Sequence, residues 1–154
     1  MRSDISYLGG ILDGEGCFSI QKSGGTYRTT IQVANNSVEL IQWMHKTFGG
    51  SIMAAHKETT TCEAGMVWIL ASKPKIVQLL PTIIPELIVK RVQASILLDF
   101  CTKFNVGRSG RYSQEQYNDM SRYHQLMLLA NSKGPGSNEI KGRILSLVSG
   151  EQNG

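Results

Sequence analysis

Residues 7–16 read YLGGILDGEG, and this stretch decides how the rest of the chain is read. As the end of a helix it places Gly10 and Gly14 four residues apart on one face, with almost nothing between that backbone and a neighbouring helix. Asp13 and Glu15 fall where the helix gives way, and Gly14 and Gly16 let the backbone turn. Two carboxylates beside free main-chain carbonyls suit a hard, oxygen-seeking divalent cation. An ordinary helix-to-strand turn accounts for the same residues. A phosphate-binding loop fits less well, because no strand precedes the glycines and no G-K-[ST] follows them.

Residues 8–16, LGGILDGEG, resemble the LAGLIDADG motif of homing endonucleases. Leu8, Gly10, Asp13 and Gly16 are identical to it, and Gly9, Ile11, Leu12, Gly14 and Glu15 are conservative replacements. In that family the motif helices of two domains pack together and their acidic ends hold the catalytic metals. The resemblance implies that Glu15 and the Gly14 carbonyl bind Mg²⁺ or Mn²⁺. It also implies that Leu8, Gly9, Gly10, Asp13 and Gly14 lie at the helix–helix contact, with Asp13 capping backbone amides there or at the start of the neighbouring helix. The chain holds one copy of the motif, so a symmetric homodimer is implied.

The bulk properties agree with a nucleic-acid partner without requiring one. The chain has 154 residues, the size of one domain with a real core, and carries 16 Lys and Arg against 12 Asp and Glu. That excess favours a polyanion, since cations gain affinity by releasing counterions from phosphates. Cys17, Cys62 and Cys101 are far apart and lack C-x-x-C spacing, which argues against a disulfide framework or a zinc site and fits a reducing compartment. His45, His56 and His124 have no metal-binding spacing either. No stretch approaches the roughly 18 apolar residues of a membrane span, and no signal peptide is evident, so the expectation is an intracellular protein without a membrane partner. Prokaryotic cytoplasm, mitochondrion and chloroplast are not distinguished.

In chain order, Ser3 or Asp4 caps a first helix with Ile5, Leu8 and Leu12 at helical spacing. From Phe18 the period becomes two. Ser19, Gln21 and Ser23 alternate with apolar residues, Gly24 and Gly25 turn the chain, and Thr26, Arg28, Thr30 and Gln32 continue the pattern. One face of this hairpin is polar, open either to solvent or to base edges in a major groove. Ser37 caps a second helix to about Phe48, with Val38, Ile41 and Met44 inward. A second hairpin follows over 51–57 and 62–71. There Met66, Trp68 and Leu70 form a core face, and Val67 and Ile69 lie opposite, suited to thymine methyl groups. A short helix opens at Ser72–Pro74 and is broken by Pro81 and Pro85. A longer one runs from about Leu87 to Lys103 with Val89, Val92, Ile96 and Phe100 on one stripe. The expected architecture is α+β, an αββαββα core over 1–104, with the C-terminal helices 105–154 extending the same domain. Ser113 and Gln116 form a capping box for the first of those helices, whose inner face carries Tyr117, Met120, His124 and Met127.

An α-β-β repeat making one antiparallel sheet backed by helices is what the family's core looks like, the sheet curving into a DNA-binding saddle. Residues 90–94, KRVQA, resemble the family's K-x-x-Q-A signature, which gives Lys90 a place beside the scissile phosphate and Gln93 a structural or water-ordering role. Asn35 stands where relatives often have a water-ordering Gln, and Glu39 stands where a basic residue often assists. Arg28, Lys57 or Arg91 would have to replace that cation. Arg108 and Arg111, in the Gly-rich stretch 105–112, suit either phosphate contact or an ordinary loop. The implied activity is metal-dependent double-strand cleavage of DNA at a long near-palindromic site, as in intron homing. The alternative is a maturase gripping intron RNA, or a binding module that has lost the chemistry.

Overall fold

The computed structural model describes residues 3–56, 65–105 and 111–150. Helix α1 (Asp4–Glu15) is capped by the Ser3 hydroxyl, which accepts from the Ser6 amide, and it runs directly into strand β1 (Gly16–Ser23). Strand β2 (Thr26–Asn35) returns through Gly24 and Gly25, both at positive φ (53° and 82°), the backbone a tight two-residue hairpin requires. Helix α2 (Val38–Phe48), capped by Ser37, leads into β3 (Ser51–His56) and β4 (Gly65–Leu70). Helix α3 (Lys73–Ile83), a 3-10 turn (Ile84–Glu86) and helix α4 (Arg91–Lys103) complete the αββαββα order. Two more helices follow, α5 (Gln114–Ala130) behind the expected Ser113–Gln116 capping box, and α6 (Ser137–Gly150).

The four strands form one antiparallel sheet in the order β1-β2-β4-β3. Phe18, Ile20, Ile31, Val33, Trp68 and Leu70 alternate onto one face and are buried against the helices, with Leu8 and Leu12 of α1, Ile41 and Met44 of α2, and Ile96, Leu97 and Phe100 of α4. Cys17, Gln21, Arg28, Gln32 and Ala34 alternate onto the other face and keep access to solvent. The α+β fold expected from periodicity is the fold observed.

Helix α5 packs beside the edge strand β1. An outer strand leaves alternate carbonyls without a sheet partner, and here three of them find donors. Lys90 Nζ donates to the Gly16 carbonyl, Asn131 Nδ2 to that of Phe18 at 3.0 Å, and His124 Nδ1 lies 2.6 Å from that of Ile20. His124, expected as a packing residue, is thus a polar clasp.

Four details differ from the periodic reading. Pro81 does not break α3, which continues to Ile83; it is exposed in the last turn, where only two residues follow it and the helix forgoes one amide bond before it ends. The helix expected from Leu87 begins at Arg91, because Leu87 is extended (φ −91°, ψ 140°) after the 3-10 turn. Val89 consequently leaves the apolar stripe and is 60% exposed. Val38, in the first turn of α2, is also exposed while Ile41 and Met44 are buried.

Candidate active site and nucleic-acid interface

The site is built where α1 ends and the strands of the first hairpin begin and finish. The two motif carboxylates diverge there. Asp13 turns inward to the segment before α4 and accepts from three successive amides, Ile88 at 3.0 Å, Val89 at 2.9 and 3.1 Å, and Lys90 at 2.9 Å. Lys90 is at the N-cap of α4, where a helix start leaves an amide without a partner, and Ile88 and Val89 lead into it; an anionic acceptor there suits the helix. Of the two roles expected for Asp13, capping the start of a neighbouring helix is the one found, and the helix belongs to its own chain.

Glu15 turns outward and is exposed. Its Oε2 accepts from Asn35 Nδ2 at 2.8 Å, while Asn35 Oδ1 accepts from the Ser37 amide at 2.7 Å. Asn35 is thereby fixed at both ends of its amide. The shorter stem of Asn still reaches the motif carboxylate, because β2 ends beside the end of α1.

Lys90 caps α4 and donates to the carbonyl of Gly16, the residue after Glu15. Burial pushes its ammonium below the usual lysine range; Cys17 and Asp13 oppose that shift, and Lys133 and Lys141 add to it. Lys133 and Lys141 therefore lie within electrostatic reach of Lys90, a cationic grouping the sequence reading missed. Gln93, one turn along α4, is buried and donates from Nε2 to the Ala130 carbonyl at 3.0 Å, and its Oε1 has no partner among the described residues. Together with Asn131 on the Phe18 carbonyl, it ties the end of α5 to α4 and β1, with Lys133 two residues beyond.

The expected dimer residues divide between two faces of α1. Leu8 is fully buried in the chain's own core. Gly9 faces Glu86, where a Cβ would come within 2.6 Å of the Glu86 Cβ. Neither is open to a partner, because the inward stripe of α1 is filled by its own subunit. Gly10 and Gly14 are open, with nothing within 4 Å of an added Cβ.

The polar face of the first hairpin is in register as expected, pairing Ser19 with Thr30, Gln21 with Arg28 and Ser23 with Thr26, while Gln32 pairs with Cys17. Ser19 and Thr30 are, however, 8% and 6% exposed, and their hydroxyls lie 2.5 Å apart in a mutual hydrogen bond. Both are short side chains between rows of longer ones, so they bond to each other. Arg91, considered as a replacement cation, donates back to the Leu87 carbonyl at 2.8 and 3.2 Å. Arg111 is exposed ahead of α5. Lys57 and Arg108 lie outside the described residues.

No group of three or more His, Cys, Asp or Glu side chains suited to a metal occurs among the described residues. One chain brings the Glu15 carboxylate and the carbonyls at the end of α1, all hard oxygen donors of the kind Mg²⁺ takes. That set fits a site completed by a second carboxylate from outside the chain.

No family profile matches the sequence, and no curated protein matches it. The fold does have matches among solved structures. The archaeal intron-encoded homing endonuclease I-Vdi141I, complexed with DNA, superposes with a TM-score of 0.68 at 16% identity over 97% of either chain. The homing endonuclease I-CvuI, in complex with its target in the presence of calcium, gives 0.67 at 15% identity over 91% of this chain and 93% of its own. The LAGLIDADG homing endonuclease I-GzeII, in complex with a DNA target, gives 0.62 at 19% identity over 89% of this chain and 47% of its own. The chain has the fold of the LAGLIDADG homing endonucleases. It matches I-CvuI and I-Vdi141I over nearly their whole length.

Proposed function

We propose that this protein is a site-specific DNA endonuclease that cuts both strands of a long, near-palindromic duplex as a homodimer, using Mg²⁺ or Mn²⁺. The observation that carries the reading is the convergence of Glu15, Asn35 and Lys90 at the end of α1, tied together through the Glu15 carboxylate and the Gly16 carbonyl. Glu15 and the Gly14 carbonyl would hold the cation, with Glu15 of a second copy completing the site, and the chemistry supplied there would be activation of water near neutral pH and neutralisation of phosphate charge. Asn35 fixes the rotamer of Glu15 and presents its amide to water at the same point. Lys90 supplies positive charge where the phosphate gains negative charge, and Lys133 and Lys141 extend that field to the flanking backbone. Gln21, Ser23, Thr26, Arg28 and Gln32 face the bases. Glu39, standing where a basic residue often assists, sits in the first turn of α2, where an acid favours the helix, and Arg28, seven residues before Asn35 on β2, lies too far along the strand to replace that cation.

Two observations support the dimer. Among the described residues the Gly10–Gly14 face is open, and Ile88 and Val89, whose amides rest on Asp13 at the end of the same helix, are 85% and 60% exposed. The chain also spans nearly all of I-Vdi141I but about half of I-GzeII, the relation expected if one unit is used twice.

The test is incubation with a randomised duplex library in Mg²⁺ and, in parallel, in Ca²⁺, with sequencing of cut ends. Defined double-strand breaks at a pseudo-palindromic site in Mg²⁺ are expected. A Glu15→Gln protein should keep its melting temperature and its binding but lose cleavage; cleavage retained by that variant would remove Glu15 from the metal site. Retention of duplex without cutting by the unaltered protein would favour a binding module, and retention of intron RNA alone would favour a maturase.

A further inference from the structure

The open face of the sheet is chemically divided along the strands, and the division follows distance from Glu15. The row of side chains nearest the end of α1 crosses three strands in register: Ala34 on β2, Val67 on β4 and Met53 on β3. Next comes a row with Gln32 beside Ile69. Then comes the Ser19–Thr30 pair, closed on itself by its hydrogen bond. Beyond it lie Gln21 with Arg28, and Ser23 with Thr26, all exposed. Successive rows on one face are two residues apart, about 7 Å, close to two base-pair steps of roughly 3.4 Å each.

Among the described residues the inner zone keeps access to solvent, and Met53 is 55% exposed. An apolar patch continuous with a polar, cationic lane on the same face points to an occupant that offers both kinds of group along one edge. The major groove does so, since thymine presents a C5 methyl and every base pair presents donors or acceptors. Resting on the endonuclease reading above, we infer that Ala34, Met53, Val67 and Ile69 read thymine methyl groups at the base pairs nearest the cut. Gln21, Ser23, Thr26 and Arg28 read the outer base pairs by hydrogen bonding, and the self-satisfied Ser19–Thr30 row reads nothing. Each half-site of the target then has a thymine-rich inner segment, a weakly specified position or two, and an outer segment specified by donors and acceptors.

The experiment uses the duplex recovered from the library, with binding measured in Ca²⁺ so that the DNA stays intact. Thymines are replaced one at a time by deoxyuridine, which deletes only the methyl group. Each inner replacement should weaken binding about fourfold, the effect of one buried methyl, and outer replacements should have no effect. Val67→Thr keeps the shape of the side chain while exchanging a methyl for a hydroxyl, and it should abolish the thymine-over-uracil preference at one inner position. Selection of duplex with no inner thymine, or indifference to deoxyuridine there, would overturn this assignment and leave the endonuclease reading standing. Loss of the dimer on Met53→Lys without any methyl dependence would overturn it in favour of a protein interface. Retention of no duplex at all would instead overturn the endonuclease reading itself.

Discussion

Helix α1 has two faces built from nearly the same residue types, and they do opposite work. The inner face, Leu8, Gly9 and Leu12, is finished within the chain, its glycine seated against Glu86 and its leucines in the core. The outer face, Gly10 and Gly14, is unfinished and touches nothing an added Cβ would reach. The carboxylates divide the same way, Asp13 holding three backbone amides of its own chain and Glu15 the Asn35 side-chain amide. A glycine is therefore a packing device on one side of the helix and a vacancy on the other, and sequence spacing alone does not say which.

Substitutions on the two faces should separate these roles. The largest effect is expected for Leu12→Ala, which empties a fully buried position; urea unfolding should show a loss of about 2–5 kcal/mol. Gly9→Ala forces a methyl to within 2.6 Å of the Glu86 Cβ and should cost about 1–3 kcal/mol in the same measurement. An unchanged midpoint would mean that the 3-10 turn moves away freely. Gly10→Ala has the opposite sign. With space around the new methyl, the helix should gain about 0.5–1 kcal/mol, yet sedimentation should show a weakened dimer and cleavage should fall. A variant more stable as a monomer but less able to assemble would mark the outer face as an interface; one that gains stability and keeps its assembly would break the comparison.

Much of this arrangement was legible in the sequence, for identifiable reasons. The period change at Phe18, the Gly24–Gly25 turn and the Ser37 and Ser113 caps are local signals, and the elements they predict are present. Asn35 was linked to the site of Glu15 only through the family resemblance, and the structure shows the two side chains in contact. What periodicity could not show depends on contacts distant in sequence. Whether Leu8 and Gly9 face outward depends on where the 3-10 turn docks, 75 residues on in the case of the Asp13–Ile88 bond. That Ser19 and Thr30 bond to each other depends on strand register. The electrostatic reach of Lys133 and Lys141 to Lys90 depends on how the end of α5 and helix α6 lie against the rest of the chain, and the Gly-Pro-Gly stretch between those two lysines carries no signal of it. His124 was legible only as a polar residue among packing residues and Gln93 as a structural or water-ordering one, while Asn131, at the C-cap of α5, carried no signal.

The clasp along β1 has a consequence beyond the site. A sheet margin with free carbonyls is a template on which another chain can add a strand, the first step towards fibrils or swapped assemblies. Here the carbonyls of Gly16, Phe18 and Ile20 are engaged by Lys90, Asn131 and His124. The lysine proposed above to act on the phosphate therefore also helps to keep one margin of the sheet closed to uncontrolled polymerisation, so a substitution at residue 90 should open that margin whatever it does to cleavage.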